Sequence, residues 1–296
     1  MPRPAPSFPD PGLPDGDLAV ALATGAGEVL RGLRAEVDAA GGAFEPRELK
    51  AAGDAASQSW LAAALAHARP GDAVLSEEAA DSADRLTADR VWIIDPLDGT
   101  REFAERPADD PSGWRDDFAV HVALWSRGVG RPDGLAAGAV ALPARDAVVS
   151  TVTPRDSRAL PADDADDVAA VIAGRRPLRL AASRSRPPEF VQRLAARGDV
   201  ELVPMGSAGV KVVSVVDGTV DAYVHAGGQY EWDSAAPVAV ALAAGLVCTR
   251  LDGTPLEYNR QDPWLPDLFV CHPAVAPHLR AALAAVGVDI KEGAQS

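Results

Sequence analysis

Val91-Trp92-Ile93-Ile94-Asp95-Pro96-Leu97-Asp98-Gly99-Thr100 is an apolar run that ends in two carboxylates three residues apart. Four bulky apolar residues in succession read as a buried strand, with Asp95 and Asp98 emerging at its end. Pro96 blocks further ladder pairing and Gly99 permits a tight backbone path, so Asp95, Asp98 and the Leu97 carbonyl can converge on one point. Such an all-oxygen donor set suits magnesium, which keeps water and substrate phosphate in the rest of its shell. The motif alone also admits a plainer reading as an Asp-rich turn closing a strand.

Two further segments point the same way. Ala73-Val74-Leu75-Ser76-Glu77-Glu78 is a second short apolar strand ending in adjacent carboxylates, and Glu231-Trp232-Asp233-Ser234-Ala235-Ala236 opens an Ala/Val-rich helical stretch to about Ala244 with Asp233 in the capping position. Taken singly, Glu77 reads as a solvated strand end and Asp233 as an ordinary cap. Their agreement with the Asp pair gives them weight.

With these motifs in order, Ser-Glu-Glu at 76–78, Trp-Ile-Ile-Asp-Pro-Leu-Asp-Gly-Thr at 92–100 and Trp-Asp-Ser-Ala-Ala at 232–236, the chain resembles the magnesium-dependent, lithium-sensitive inositol monophosphatase superfamily over nearly its whole length after residue 16. The resemblance implies an α+β fold, a layered α/β/α/β/α sandwich of the sugar-phosphatase type, with the active site between two halves. It implies Mg²⁺ as cofactor, two or three ions per site. Glu77, Asp95 and the Leu97 carbonyl would hold one ion, and Asp95, Asp98 and Asp233 a second. Asp54 ends the segment Ala51-Ala52-Gly53-Asp54, which matches the family's T-x-x-D with Ala51 in place of Thr. Asp54 and Thr100 thereby inherit the task of orienting and deprotonating the attacking water, whereas the residues alone make Asp54 the N-cap of a helix over 54–68. Glu78 would stand behind the ligands, and the amides of Gly99 and Thr100 would cradle the scissile phosphate.

Arg101-Glu102-Phe103, Ser183-Arg184-Ser185-Arg186 and Gly206-Ser207-Ala208-Gly209-Val210-Lys211 look like segments of the 3′(2′),5′-bisphosphate nucleotidase branch, with Arg186 in place of the usual His. That likeness implies hydrolysis of the 3′-phosphate of 3′-phosphoadenosine 5′-phosphate and its sulfated relative, in sulfur assimilation and nucleotide recycling. Arg101, Ser183, Arg184, Ser207 and Lys211 become substrate-binding candidates. Physically, Ser207 and free amides at a helix start favour phosphate, and Arg184 offers a planar donor fork. Either basic residue could equally be a solvated surface charge. His225 could touch the nucleotide or simply end a strand, and Trp232 reads as a packing anchor. Inositol-1-phosphate and fructose-1,6-bisphosphate are rival substrates for the same metals, and a phosphometabolite sensor without turnover is the rival outside enzymes.

The chain has 296 residues, 47% of them hydrophobic, and carries a formal net charge of −15. Such acidity argues against extended nucleic acid as a partner, and cations in a carboxylate cluster would be needed to admit an anionic substrate. The expected partner is a small phosphorylated molecule, with a homodimer left open. Cys248 and Cys271 lack metal-ligand spacing and read as thiols in a reducing cytoplasm. No run of eighteen apolar residues suggests a membrane span. Residues 1–16 read as a disordered Pro-rich tail. Residues 17–153 read as an α+β metal-binding half with helices over 17–40 and 54–67, 154–176 as an acidic linker loop, and 177–296 as an α/β half of alternating elements.

Overall fold

A computed structural model describes residues 5–153, 162–184 and 187–288. Ser185 and Arg186 lie outside the described residues, as do residues 1–4 of the expected tail. Two five-stranded sheets organise the described residues. The first has the order β1 (Ala73–Ser76), β2 (Arg90–Asp98), β3 (Ala119–Ser126), β4 (Leu135–Leu142) and β5 (Ala147–Ser150), antiparallel except for the parallel β1–β2 pair. The second is built from β6 (Leu178–Ser183), β7 (Val200–Met205), β8 (Ala222–Tyr230), β9 (Val247–Thr249) and β10 (Trp264–Cys271), in the order β7-β6-β8-β10-β9.

Three hydrophobic clusters stack the sheets into five layers. Helices α1 (Asp15–Ala39) and α2 (Pro46–Ala68) bury Leu18, Leu22, Leu30, Leu61 and Leu65 against the outer face of the first sheet, where Trp92, Ile94, Val120 and Val122 point. Its other face, with Val91, Ile93 and Ala123, meets α6 (Ala208–Val216) and α7 (Glu231–Ala243), which also pack on β8 and β10 of the second sheet. Helices α5 (Glu189–Ala195) and α8 (Ala276–Ala285) cover the far face of the second sheet. Alternation of inward residues along β2 thus feeds two cores from one strand, which is why its apolar run is continuous.

Three expectations on organisation need correction. The segment after residue 4 is not a loose tail: Pro6 accepts from Trp60 Nε1 at 3.0 Å, Phe8 packs edge-on to Trp60, and Arg69 donates to the Pro11 and Leu13 carbonyls. Closely spaced prolines with an aromatic have few unfolded conformations to lose and dock on α1 and α2. The 154–176 segment is not all loop, because α4 (Ala162–Ile172) lies within it, where Val168 and Val171 pack on the outer core. Finally, α2 begins at Pro46 rather than 54, with Pro in its first turn.

Candidate active site

The pairing of β2 with β3 sets Asp95 opposite His121 and Asp98 opposite Ala119, with a register shift between them. Pro96 therefore does not end the ladder; the irregularity absorbs its missing N–H and the strand runs on to Asp98. Gly99 then adopts φ +87°, and a Cβ there would lie 3.2 Å from the Asp117 carbonyl oxygen. Both the left-handed conformation and the crowding demand glycine. The short helix α3 (Thr100–Phe103) follows.

One carboxylate oxygen from each of Asp95, Asp98 and Asp233 lies within 4.8 Å of the others. Asp95 is buried; its Oδ1 accepts from the Leu97 N–H at 3.0 Å, while Oδ2 has no hydrogen-bond partner among the described residues. Burial first, then Asp98, Glu77 and Asp233, raise its pKa well above the ordinary range. Asp233 caps α7 by accepting from the Tyr230 N–H at 2.6 Å, and burial and Asp98 push it up to about 6. Glu77 is not one of this tight set of three, but it lines the same cleft and its side chain is hydrogen-bonded to Asp95. Loss of hydration on its inner edge, with Asp233 and Asp98, still pushes it up to about 7.

Asp98 goes the other way. Burial opposes its charge, but His121, Lys211 and Ser207 hold it at about 2. Its Oδ2 accepts from Ser207 Oγ at 2.5 Å and from the Gly209 N–H at 2.8 Å. His121 Nε2 is 3.2 Å away, close enough for charge attraction although not aligned as a hydrogen bond. The start of α6, expected to receive a phosphate, is thus already occupied by a carboxylate of the protein.

His121 was not singled out by sequence. Its buried ring places Nδ1 3.0 Å from the Trp232 carbonyl, and a Cβ on Gly209 would come within 2.1 Å of Nε2. One ring therefore fastens β3 to α6 and α7 at the carboxylates. The available signal was a lone polar residue inside the apolar run Val120-His121-Val122. Asp117 was missed as well: held by Arg115, it accepts from the Gly206 N–H at 2.7 Å and fixes the turn before Ser207.

Lys211 is buried rather than solvated, and its Nζ donates to the Gly206 carbonyl at 2.9 Å. Burial lowers its pKa against the pull of Asp98, Glu102 and Asp233. Arg184 is engaged by Glu102 at 2.6 Å and Glu105 at 3.0 Å, and the exposed Arg101 lies 3.6 Å from Glu105. Asp54 sits in mid-helix, which corrects the N-cap reading. It is hydrogen-bonded to Thr100; burial and Glu78 push it up to about 6. Thr100 Oγ1 also reaches the Leu97 carbonyl at 3.2 Å, and Ser57 Oγ ties α2 to the Pro96 carbonyl at 2.7 Å. Glu78 is exposed.

A cleft of about 560 Å³ opens over the cluster. Glu77, Asp98 and Asp233 form its acidic end, Ser183, Ser207 and Lys211 one wall, and β8 the other. His225 lines it, with Nε2 2.9 Å from the Gly228 carbonyl oxygen, holding the glycine turn. Trp232 is a packing anchor, as expected, and also stacks on Tyr230 at 4.7 Å.

The model of the inositol monophosphatase family matches residues 16–285. The chain is 49% identical over 259 residues to 3′-phosphoadenosine 5′-phosphate phosphatase of Mycobacterium bovis, covering 88% of this chain and 89% of that protein. Its identity to 3′(2′),5′-bisphosphate nucleotidase CysQ of Escherichia coli is 29%, over 72% of this chain and 81% of that one. Among solved structures, SuhB of Mycobacterium tuberculosis superposes with a TM-score of 0.63 at 25% identity, over 92% of this chain and 96% of that chain.

Proposed function

The chain belongs to the inositol monophosphatase family, and from that premise we propose that it is a metal-dependent phosphomonoesterase that removes the 3′-phosphate of 3′-phosphoadenosine 5′-phosphate. The observation that carries the reading is the cluster of Asp95, Asp98 and Asp233 at the end of a cleft of substrate size, in a chain 49% identical to phosphatases of that name.

The residues fit divalent magnesium. The unpartnered Asp95 Oδ2 is aimed among carboxylates whose raised pKa values record mutual repulsion, and a hard cation relieves both. Asp95, Asp98 and Asp233 would hold one ion, and Glu77, Asp95 and the Leu97 carbonyl another. Bound there, Mg²⁺ supplies charge neutralisation and Lewis acidity to phosphoryl transfer.

The chain's own residues would do the rest. With a pKa near 6, Asp54 is poised to accept the proton of an attacking water close to neutral pH, and Thr100 Oγ1, within reach of Asp54 and the Leu97 carbonyl, would orient that water. The amides of Gly99 and Thr100 face no helical acceptor and would receive the scissile phosphate. Ser207 and His121 hold Asp98 ionised. Lys211 uses one of three donors on Gly206 and keeps others for substrate, and Arg184, which meets Glu102 and Glu105 through Nη2 alone, and the exposed Arg101 likewise keep N–H donors for a phosphate. Lithium sensitivity, a place in sulfate assimilation and a cytoplasmic setting belong to the same reading.

Phosphate release from adenosine 3′,5′-bisphosphate, inositol-1-phosphate and fructose-1,6-bisphosphate, measured with and without Mg²⁺, tests it. The expected result is Mg²⁺-dependent turnover with the highest kcat/KM on the adenosine compound. Tight binding without release would identify a sensor instead.

A further inference from the structure

Glu231 and Arg85 are each only 1% exposed, yet neither takes part in the chemistry proposed above. A core that needed stability alone would place apolar side chains at such positions, because ionisable groups are costly to bury unless fully hydrogen-bonded. Both are well bonded, and to the same intermediary. Glu231, the first residue of α7, accepts from the Asn259 N–H at 2.7 Å and the Arg260 N–H at 2.8 Å, while its own N–H donates to the Pro263 carbonyl at 2.8 Å. Asn259 passes the connection on: its Oδ1 accepts from Arg85 Nη1 at 2.8 Å and its Nδ2 donates to the Arg85 carbonyl at 3.2 Å. It does so at φ +59°, a left-handed conformation that asparagine tolerates better than most residues. Arg85, in the 3₁₀ turn Ala83–Leu86, grips Asp81 through Nε at 2.7 Å and Nη2 at 2.9 Å.

The two ends of this chain of bonds fall beside carboxylates of the cleft. Residues 78–84 are all exposed, so Arg85 is the first buried residue after Glu77 and anchors the surface segment that carries it. At the other end Glu231 opens the helical turn that holds Asp233, and the intervening Trp232 carbonyl lies 3.0 Å from His121 Nδ1. Asp95 and Asp98 share β2, which sets their spacing; Glu77 and Asp233 come from distant segments with no common element to set theirs. We propose that Arg85, Asn259 and Glu231 are positioning residues, a buried clasp outside the cleft that fixes how far Glu77 stands from Asp233 and so shapes the cation site. The inference rests on the metal-dependent reading and deepens it.

The test titrates Mg²⁺ alone, by calorimetry, into wild type, Arg85→Met, Asn259→Gly and the double variant, with melting in EDTA and the Mg²⁺ dependence of turnover alongside. Asn259→Gly removes the bridging amide and keeps a residue at ease at positive φ. Leu279→Ala, buried in the core between α8 and the far face of the second sheet, is the control that loses stability away from the clasp. Each single variant should raise the Mg²⁺ dissociation constant by about tenfold or more, the scale of a lost partner behind a metal ligand, and saturating Mg²⁺ should restore kcat. The double variant should be no worse than the weaker single, since both break one chain of bonds. Leu279→Ala should bind Mg²⁺ as wild type does below its melting transition. Wild-type Mg²⁺ affinity in the clasp variants, additive losses in the double, or an equal loss in Leu279→Ala overturns the inference and leaves the metal-dependent reading intact. If Arg85→Met does not fold, Asn259→Gly decides alone. A wild type that binds no Mg²⁺ overturns the metal-dependent reading and the inference with it.

Discussion

Asp95 and Asp98 are three residues apart in one strand, and their surroundings pull them in opposite directions. Asp98 has two donors and two cations about it and stays ionised, while Asp95 has one donor, an unpaired oxygen and three carboxylates nearby. Replacing either with Asn keeps the shape and removes a charge, so kcat/KM should fall by roughly 10²-fold or more. The two differ without metal: Asp95→Asn relieves repulsion and should melt in EDTA at or above wild type, whereas Asp98→Asn abandons His121 and Lys211 and should melt lower. Scanning calorimetry with and without Mg²⁺ separates these outcomes. Asp54 governs a second prediction. On the proposed mechanism its carboxylate is the active form, so kcat/KM should climb with pH up to a plateau just above pH 6, and Asp54→Asn should abolish that limb along with most of the activity.

At the scale of elements, α6 and β2 depend on each other. Ser207 caps α6 by accepting from the Val210 N–H at 3.1 Å while donating to Asp98, at φ +35°, an unusual angle for a residue with a side chain. Ser207→Ala should cost about 1 kcal/mol of stability, typical of a lost cap, and should also raise the Mg²⁺ concentration needed for activity, because Asp98 loses the donor that orients it. A Gly209→Ala protein should fare worse. The added methyl would strike His121 Nε2 at 2.1 Å and push α6 off β3, so activity should fall further than the modest propensity gain of alanine could suggest. Thermal melts and Mg²⁺ titrations of activity for the two variants check both statements; wild-type metal affinity in Gly209→Ala would contradict the packing argument.

Across the whole molecule, charge and stability meet at the cleft. A carboxyl whose pKa is higher folded than unfolded binds its proton more tightly when folded, so its stabilisation is complete at low pH and is lost as pH rises through the folded pKa. Glu77 at about 7, Asp54 and Asp233 at about 6, and Asp95 are all raised. Metal-free protein should therefore lose stability between about pH 4 and pH 7, and the rise in Tm on adding Mg²⁺ should grow over the same window. A flat difference between Mg²⁺ and EDTA melts would show that the cluster does not hold the ion. The N-terminal segment makes a separate prediction: deleting residues 1–12 removes the contacts of Phe8, Pro6 and Pro11 with α2, which lie away from the cleft. Tm should drop while kcat/KM below the transition holds.

The apolar runs at 73–76, 91–94 and 119–126 and the acidic motifs that end two of them were determined locally, because strand burial and metal chemistry each leave a mark within a few residues. So were the family and the carboxylates of the cluster. What the sequence could not decide was partnership across distance. His121 and Asp117 are single polar residues in a strand and a loop, and only the docking of β3, α6 and α7 brings them against Asp98 and the Gly206 turn. Lys211 and Ser207 were legible as phosphate ligands from a helix start, but tertiary packing delivers the anion of Asp98 to that start first. The same holds for Arg184, whose Nη2 meets Glu102 and Glu105 more than 75 positions earlier in the chain. Local pattern fixes what each element buries and which chemistry it carries; the desolvation and charge that tune those groups come from neighbours the linear sequence does not place.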